Sequence, residues 1–291
     1  MSVRTVNLGK EYGDTVALDS VDLTVAAGSV YGLVGPNGAG KTTLLAILSG
    51  LRRQTAGSIE VSSTNVGVLP DTPRFDTWLT AREVVDLARS LANGAIPGER
   101  VEEVLDDAGL AEAAGRKVGG FSRGMLQRLG VATAVVGEPD LLLLDEPAAA
   151  LDPAGRREVL DLITRLRGRA TVIFSSHILD DVQEVCDDIG ILRRGELVYQ
   201  GSLDGLLADR RRVTTYEITV RGGGPVVGEA LGRVGWVAAA NVDGDHITLE
   251  TEDREQAEQR LVAILASTGV PVVSVVPREP TLEDVFLEVT Q

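Results

Sequence analysis

Cysteine is almost missing from this chain: Cys186 stands alone, so no internal disulfide can form. A reducing cytoplasm is the expected setting. Long apolar runs are missing too; none approaches the roughly 18–20 residues that span a bilayer. The opening Met1 to Lys10 has no apolar core of the secretory type. Together these absences predict a soluble, intracellular protein. Basic charge is also in short supply, with 28 Lys and Arg against 43 Asp and Glu, a net of −15. Nucleic-acid affinity comes largely from basic neutralisation of phosphates, so no nucleic acid is expected as a partner. Lysine is the scarcest basic residue: Lys10, Lys41 and Lys117 are the three, and the other 25 are arginines. A lysine at a chemically demanding spacing therefore stands out. No internal repeat and no low-complexity tract appears.

What is present is the mix of a globular protein, 44% hydrophobic and 24% charged over 291 residues, enough for more than one compact domain. Val16, Leu18, Val21, Leu23 and Val25 predict short strands broken by turns, and Val30 to Val34 a buried strand. Thr42 to Leu51 predicts a helix with Leu44, Leu45, Ile47 and Leu48 as its apolar stripe. Residues 80–118 read as mostly helical, opening on a Thr80–Glu83 capping box, with Gly109 ending a second helix. Two apolar runs, Leu141 to Leu144 and Thr171 to Phe174, flank a helix capped by Asp152, started by Pro153 and closed by Gly168. Strand, helix, strand in that order predicts a parallel sheet and an α/β fold. Near residue 212 the composition shifts. Residues 1–212 carry 23 basic and 30 acidic side chains, net −7, and residues 213–291 carry 5 and 13, net −8. Arg210-Arg211-Arg212 marks the junction. Beyond it, Tyr216, Ile218 and Val220 alternate, as do Ile247, Leu249 and Thr251. Asp253 to Ser267 reads as an amphipathic helix and Val272 to Val276 as a strand, giving a small α+β domain over 213–291.

Gly35-Pro36-Asn37-Gly38-Ala39-Gly40-Lys41-Thr42 fits the phosphate-loop pattern of Gly, four residues, then Gly-Lys-Thr. Its glycines let successive backbone N–H groups turn inward at a helix N-terminus, a nest for anions. Lys41 is placed to reach the β- and γ-phosphates and the Thr42 hydroxyl to ligate Mg²⁺. The pattern predicts a nucleoside triphosphate as ligand. Asp145-Glu146 closes the apolar strand Leu141 to Leu144. Adjacent side chains of a strand point to opposite faces, so one carboxylate can serve the metal shell and the other the attacking water.

With these residues in order, residues 1–212 resemble the ATP-binding subunit of ABC transporters. Phe121-Ser122-Arg123-Gly124-Met125, then Gln127-Arg128, occupies the place of that family's signature motif, and Leu151-Asp152-Pro153 that of its D-loop. Ser175-Ser176-His177 resembles the switch histidine at a strand end, and Val68-Leu69-Pro70-Asp71 takes the Q-loop position. The resemblance implies a P-loop core with an antiparallel β flank and a helical subdomain over about 72–120. It implies ATP and Mg²⁺ as cofactors, with Gly35 to Thr43 on the nucleotide. Thr42, Asp71 and Asp145 would serve the metal, and Lys41, Glu146 and His177 catalysis. Ser122 and Gly124 would meet the γ-phosphate bound to a second subunit, so that two subunits sandwich two ATP molecules. Tyr12 falls where the family stacks an aromatic ring on adenine; core filling is the other reading of it. His246, beside Asp243-Gly244-Asp245, reads as inert, and Cys186 as core packing beside Val182 and Val185.

Two residues depart from the family pattern. Asp71 replaces glutamine, one methylene shorter and anionic, a variant found in drug-resistance-type members. Arg123 replaces a glycine, its guanidinium either beside the trans phosphate or in solvent. Glu279 to Leu287 resembles the ending of daunorubicin-resistance-type exporter ATPases: a helix capped by Thr281, with Asp284 completing the box and Leu282, Val285, Phe286 and Val289 apolar. That face packs on its own subunit or against another. The function implied is an ATPase subunit, peripheral on the cytoplasmic face of the cell membrane, driving a separate integral membrane permease, most simply an exporter. Helices from about 80 to 118, with Phe75 and Trp78 just upstream, form the expected docking surface. The competing readings are a non-transporter ABC ATPase acting on a protein assembly and a nucleotide sensor without turnover; Glu146 argues against the second.

Overall fold

The computed structural model describes residues 2–92, 95–149, 151–208, 214–278, 282–283 and 286. Arg210 to Arg212, and Thr281, Asp284, Val285, Leu287 and Val289 of the C-terminal segment, lie outside them. Two compact units make up the chain, residues 1–203 and 204–291.

The first unit is built on two sheets. Strand β1 (Val3–Tyr12) pairs antiparallel with β2 (Thr15–Val21), β3 (Thr24–Val25) and β5 (Ala56–Val61). The second sheet runs β10 (Glu196–Ser202), β9 (Asp188–Arg193), β4 (Val30–Val34), β8 (Thr171–Ser176), β7 (Leu141–Asp145) and β6 (Val66–Leu69). All but β10 are parallel in it. Strands β4, β7 and β8 are buried at every residue, as apolar runs covered on both faces should be. Val3, Leu8, Leu18 and Leu23 of the antiparallel sheet share one core with Leu33, Leu141, Leu143 and Ile173. Helix α1 (Lys41–Leu48) adds Leu44, Leu45, Ile47 and Leu48 to that core, so the apolar stripe read from the sequence is the buried one.

Beyond β6 lie α2 (Ala81–Leu91), α3 (Arg100–Asp107) and α4 (Arg123–Val135). The capping box is formed: Glu83 N–H donates to Thr80 Oγ1 at 3.2 Å and Thr80 N–H to Glu83 Oε2 at 2.8 Å. Gly109 sits at φ +63° just past α3, where a glycine accepts the left-handed turn. The stretch 80–118 is thus the expected pair of helices, followed by short 3-10 turns at Ala111–Ala113 and Val118–Gly120. Gly130 brings α4 onto β6; a Cβ there would collide with Leu69 Cδ1. Helix α5 (Pro153–Leu166) begins as expected, with Gly155 N–H on Asp152 Oδ1 at 3.1 Å, and α6 (Leu179–Val185) follows β8. Cys186 is buried at the end of α6, and burial pushes its thiol well above the ordinary value, which suits packing and not reactivity.

The second unit begins with α7 (Leu203–Ala208), whose first residue closes the first unit. There follow β11 (Thr214–Val220), α8 (Gly224–Gly232), β12 (Ala239–Asp243), β13 (His246–Thr251), α9 (Arg254–Ser267) and β14 (Val272–Arg278). The sheet order is β12-β13-β11-β14, antiparallel throughout. This is a split βαβ arrangement with its core between Ile218, Leu249, Val227, Leu231, Leu261 and Leu265. Helix α8 and strand β12 were not evident from sequence patterning. His246 lies exposed on β13, its Nδ1 3.3 Å from Thr219 Oγ1. Leu282 is fully buried. Among the described residues no helix is long and apolar enough to cross a membrane.

Candidate functional site

Sheet order decides which loops meet. The strands β4, β8, β7 and β6 lie side by side and run the same way, so their carboxyl ends present the phosphate loop, His177, Asp145-Glu146 and Asp71 along one edge. In open parallel sheets that edge is where ligands bind. A cavity of about 540 Å³ opens there, walled by Asn37 to Thr43, Asp71, Glu146 and His177, together with Ala17, Arg123 and Ala149.

The phosphate loop needs its glycines. Gly40 sits at φ +109°, and a Cβ there would stand 2.6 Å from the Ala17 carbonyl oxygen. Lys41 opens α1 and is 6% exposed. Its Nζ donates to the Gly35 carbonyl at 2.7 Å and lies 3.6 Å from Glu146 Oε1. An ammonium so deep in the loop faces whatever the cavity holds. Thr42 and Thr43 follow on the wall.

Glu146 leaves β7 at φ +50°, a conformation that costs a non-glycine residue about 1–3 kcal/mol and clusters at functional sites. Its backbone N–H donates to Ser175 Oγ at 2.9 Å, and its carbonyl accepts from Gln127 Nε2 at 3.2 Å and from Ala149 N–H at 3.3 Å. The carboxylate spans Lys41 and His177, whose Nδ1 is 2.8 Å from Oε2. A carboxylate only accepts, so Nδ1 is the nitrogen that carries the proton in this pair.

The structure does not bring every expected residue onto the wall. Asp145 is buried behind it at 4% exposure, accepting from Ser175 Oγ at 2.5 Å. Gly35 and Pro36 form the base of the loop. Ser122 caps α4, its Oγ accepting from Met125 N–H at 3.3 Å, and with Gly124 it stands off the cavity, whereas Arg123 between them lines it. Tyr12 is exposed, with Lys10 Nζ 4.9 Å and the Arg52 guanidinium 5.8 Å from its ring centre, so it does not fill the core. Sequence reasoning missed the roles of Ser175 and Gln127, which hold the Glu146 backbone. It also missed Ala17 and Ala149, small residues with no chemical signal. Gln127 was visible beside the signature motif, but only the fold shows what it touches.

The donors present are hard oxygens: the Thr42 hydroxyl and the Asp71 carboxylate on the wall, and Asp145 just behind. No cluster of three or more His, Cys, Asp or Glu suited to a metal occurs among the described residues. That set fits Mg²⁺, which keeps waters and shares its shell with substrate phosphates, better than a metal needing an all-protein cage.

A parallel sheet edge with a phosphate loop, a buried lysine and a strand-end Asp-Glu pair defines a P-loop nucleoside triphosphatase, and known proteins narrow the class. The ABC transporter family model matches residues 18–149, and a model for the C-terminal domain of DrrA1-3-like ATP-binding proteins matches residues 207–290. An uncharacterised ABC transporter ATP-binding protein, YxlF of Bacillus subtilis, is 35% identical, over 97% of this chain and 97% of its own. The daunorubicin resistance ATP-binding protein DrrA3 of Streptomyces coeruleorubidus is also 35% identical, over 97% of this chain and 93% of its own. Among solved structures, the ATP-binding cassette MJ0796, a dimer in a post-hydrolysis state bound to ADP and Pi, superposes with a TM-score of 0.64 at 25% identity. That match covers 69% of this chain and 98% of the other. The chain belongs to the ABC transporter ATP-binding proteins. It is an ATP-binding ATPase of the transport class.

Proposed function

We propose that two copies of this chain sandwich two ATP molecules and drive a separate integral membrane permease, most simply an exporter. The observation that carries the reading is the Glu146 carboxylate held between Lys41 and His177 on the cavity wall. In this reading Lys41 leaves its loop carbonyl for the β- and γ-phosphates, while backbone N–H groups of Asn37 to Thr43 cradle them. Glu146 orients the attacking water. The water oxygen bonds to the γ-phosphorus as the bond to the β–γ bridging oxygen breaks; the water's proton passes to Glu146 and from there to the product phosphate, and ADP and inorganic phosphate leave. His177 joins Glu146 to the γ-phosphate by donating from both ring nitrogens, Nδ1–H to the carboxylate and Nε2–H to the phosphate, which takes a proton on each.

Thr42 and Asp71 would hold Mg²⁺, with Asp145 supporting from behind, and the ion would supply neutralisation of the charge on the phosphate oxygens. Tyr12, exposed beside Lys10 and Arg52, stacks on adenine. Ser122 and Gly124, off the wall of their own cavity at the start of α4, meet the γ-phosphate of the other subunit, where the helix N-terminus favours an anion. Trp78, Leu87 and Leu91 are exposed apolar side chains, and Leu87 and Leu91 share one face of α2. They suit a docked permease at the cytoplasmic face of the membrane. The daunorubicin resistance relative supports export of a drug-like molecule. The first 212 residues act as the ATPase and residues 213–291 as an accessory domain.

Phosphate release by the purified chain, with and without co-expressed membrane proteins, tests this. ATP turnover raised by a membrane protein that co-purifies is the expected result. Full turnover with only soluble partners would favour a non-transporter ATPase.

A further inference from the structure

Glu146 is held at its backbone from two sides, and the two holders belong to different parts of the first unit. On one side Ser175 on β8, fully buried, takes the Glu146 N–H at 2.9 Å while donating to Asp145 at 2.5 Å. That side is fixed to the sheet. On the other, the Glu146 carbonyl accepts from Gln127 Nε2 at 3.2 Å, sharing its lone pairs with Ala149 N–H at 3.3 Å. Gln127 is 2% exposed, so its amide cannot exchange this partner for bulk water without loss. It sits in the second turn of α4, and Ser122 caps the same helix. They stand five positions apart on the helix, about 7–8 Å of stiff rod at 1.5 Å per residue.

We propose that Gln127 is a positioning residue that ties α4 to the Glu146 backbone, so that contact of Ser122 with the nucleotide of one site sets the reactivity of the other. The inference rests on the two-subunit sandwich proposed above and deepens it. In that sandwich Ser122 of a subunit touches ATP held by its partner, while Glu146 of the same subunit acts on its own ATP. A displacement of α4 toward the partner's phosphate must either carry the Glu146 carbonyl along or break its bond to Gln127. Because the N–H is pinned at Ser175, the carbonyl can follow α4 only by rotation about the N–Cα and Cα–C bonds of residue 146. Rotation about N–Cα, where φ stands at +50°, swings Cβ together with the carbonyl and so re-aims the carboxylate between Lys41 and His177. Each site is thereby informed that the other is filled.

The test places Q127M, of similar length but without an N–H donor, in one chain or the other of a tagged mixed dimer whose second chain carries E146Q. One Glu146 then remains, and the measurement is single-turnover ATP cleavage. With Q127M in the chain that keeps Glu146, cleavage should fall about tenfold or more, the scale of a misplaced catalytic group, with ATP affinity changed less than about twofold. With Q127M in the E146Q chain, the loss should stay below about twofold. If Gln127 merely shaped the start of α4, the loss would appear in this second dimer instead, because its Ser122 serves the working site. Loss there, equal loss in both, or no loss in either overturns the proposal. Failure of the sandwich is read separately: no recovery of cleavage in a mixed dimer of Lys41→Ala and Ser122→Arg chains removes the sandwich, and the inference with it. If Q127M does not assemble, Q127E, of the same shape with an acceptor in place of the donor, goes through the same comparison.

Discussion

Glu146 Oε2 lies 2.8 Å from His177 Nδ1, across the neighbouring ends of β7 and β8. The pair exists because these strands are adjacent and parallel, so residues about thirty positions apart in sequence finish side by side. Lys41, 3.6 Å from the other carboxylate oxygen, comes from the loop after β4, on the far side of β8. Three strand ends thus converge on one carboxylate.

Glu146→Gln keeps the size of that side chain and removes its charge. Hydrolysis should fall at least ~10²-fold, the ordinary scale of general-base assistance, while ATP still binds. An ATP-held dimer should accumulate on gel filtration. Turnover near wild type would assign the water-orienting role elsewhere.

Asp71 lines the cavity and follows β6, the strand on which α4 packs. Its neighbours in sequence lead to α2 and the exposed Trp78, so it links the site to the proposed docking helices. Asp71→Ala should reduce stimulation of the ATPase by a permease more than it reduces basal ATP binding. Equal loss of both removes Asp71 from that link.

Arg123 stands on the wall of its own subunit's cavity. Its guanidinium is the second cation there beside Lys41, so Arg123→Ala should weaken ATP binding to the isolated subunit a few-fold at low salt and less at high salt, where exposed charge is screened. Arg123→Lys should restore most of the affinity. Unchanged monomer affinity with lost dimerisation would instead place the guanidinium on the partner's nucleotide.

Asp253 caps α9, its Oδ1 accepting from Gln256 N–H at 3.0 Å, and this bond pulls its carboxyl below the ordinary value. The folded state therefore binds fewer protons here than the unfolded chain. The resulting stability is fully present above the unfolded carboxyl pKa of about 3.9 and is lost as pH falls through the lower folded value. The thermal midpoint of Asp253→Ala should sit below wild type by a constant margin from pH 7 to about 5 and converge with it below about 4. A margin that persists in acid would mean the cap works without its charge.

Much of the site was legible because its residues obey local rules. The phosphate loop must have glycine where φ is positive, and Thr80 and Asp152 cap helices by hydrogen bonds within three residues. Strands β4, β7 and β8 announced themselves as apolar runs. What escaped depends on distant contacts or on weak propensity. Helix α8 begins Gly224-Pro225 and carries Gly228 and Gly232, so packing of Val227 and Leu231 makes it helical, not its composition. The β9–β10 hairpin turns at Arg194-Gly195, both at positive φ, but the flanking Arg193 and Glu196 are charged and interrupt the apolar alternation that marks a hairpin. Gln127 and Ser175 touch Glu146 only through the fold.

In the proposed sandwich each ATP lies between Lys41 of one subunit and Ser122 of the other. Lys41→Ala removes the phosphate-binding ammonium, and Ser122→Arg puts a bulky side chain at the start of α4 and removes the cap on Met125 N–H. Each homodimer carries damage in both sites. A mixed dimer collects both lesions in one site and leaves the other intact. Single-turnover ATP cleavage, measured on tagged heterodimers, should therefore exceed that of either parent, approaching one working site per dimer. No recovery in confirmed heterodimers would mean that Lys41 and Ser122 serve the same subunit's nucleotide, and would contradict the account.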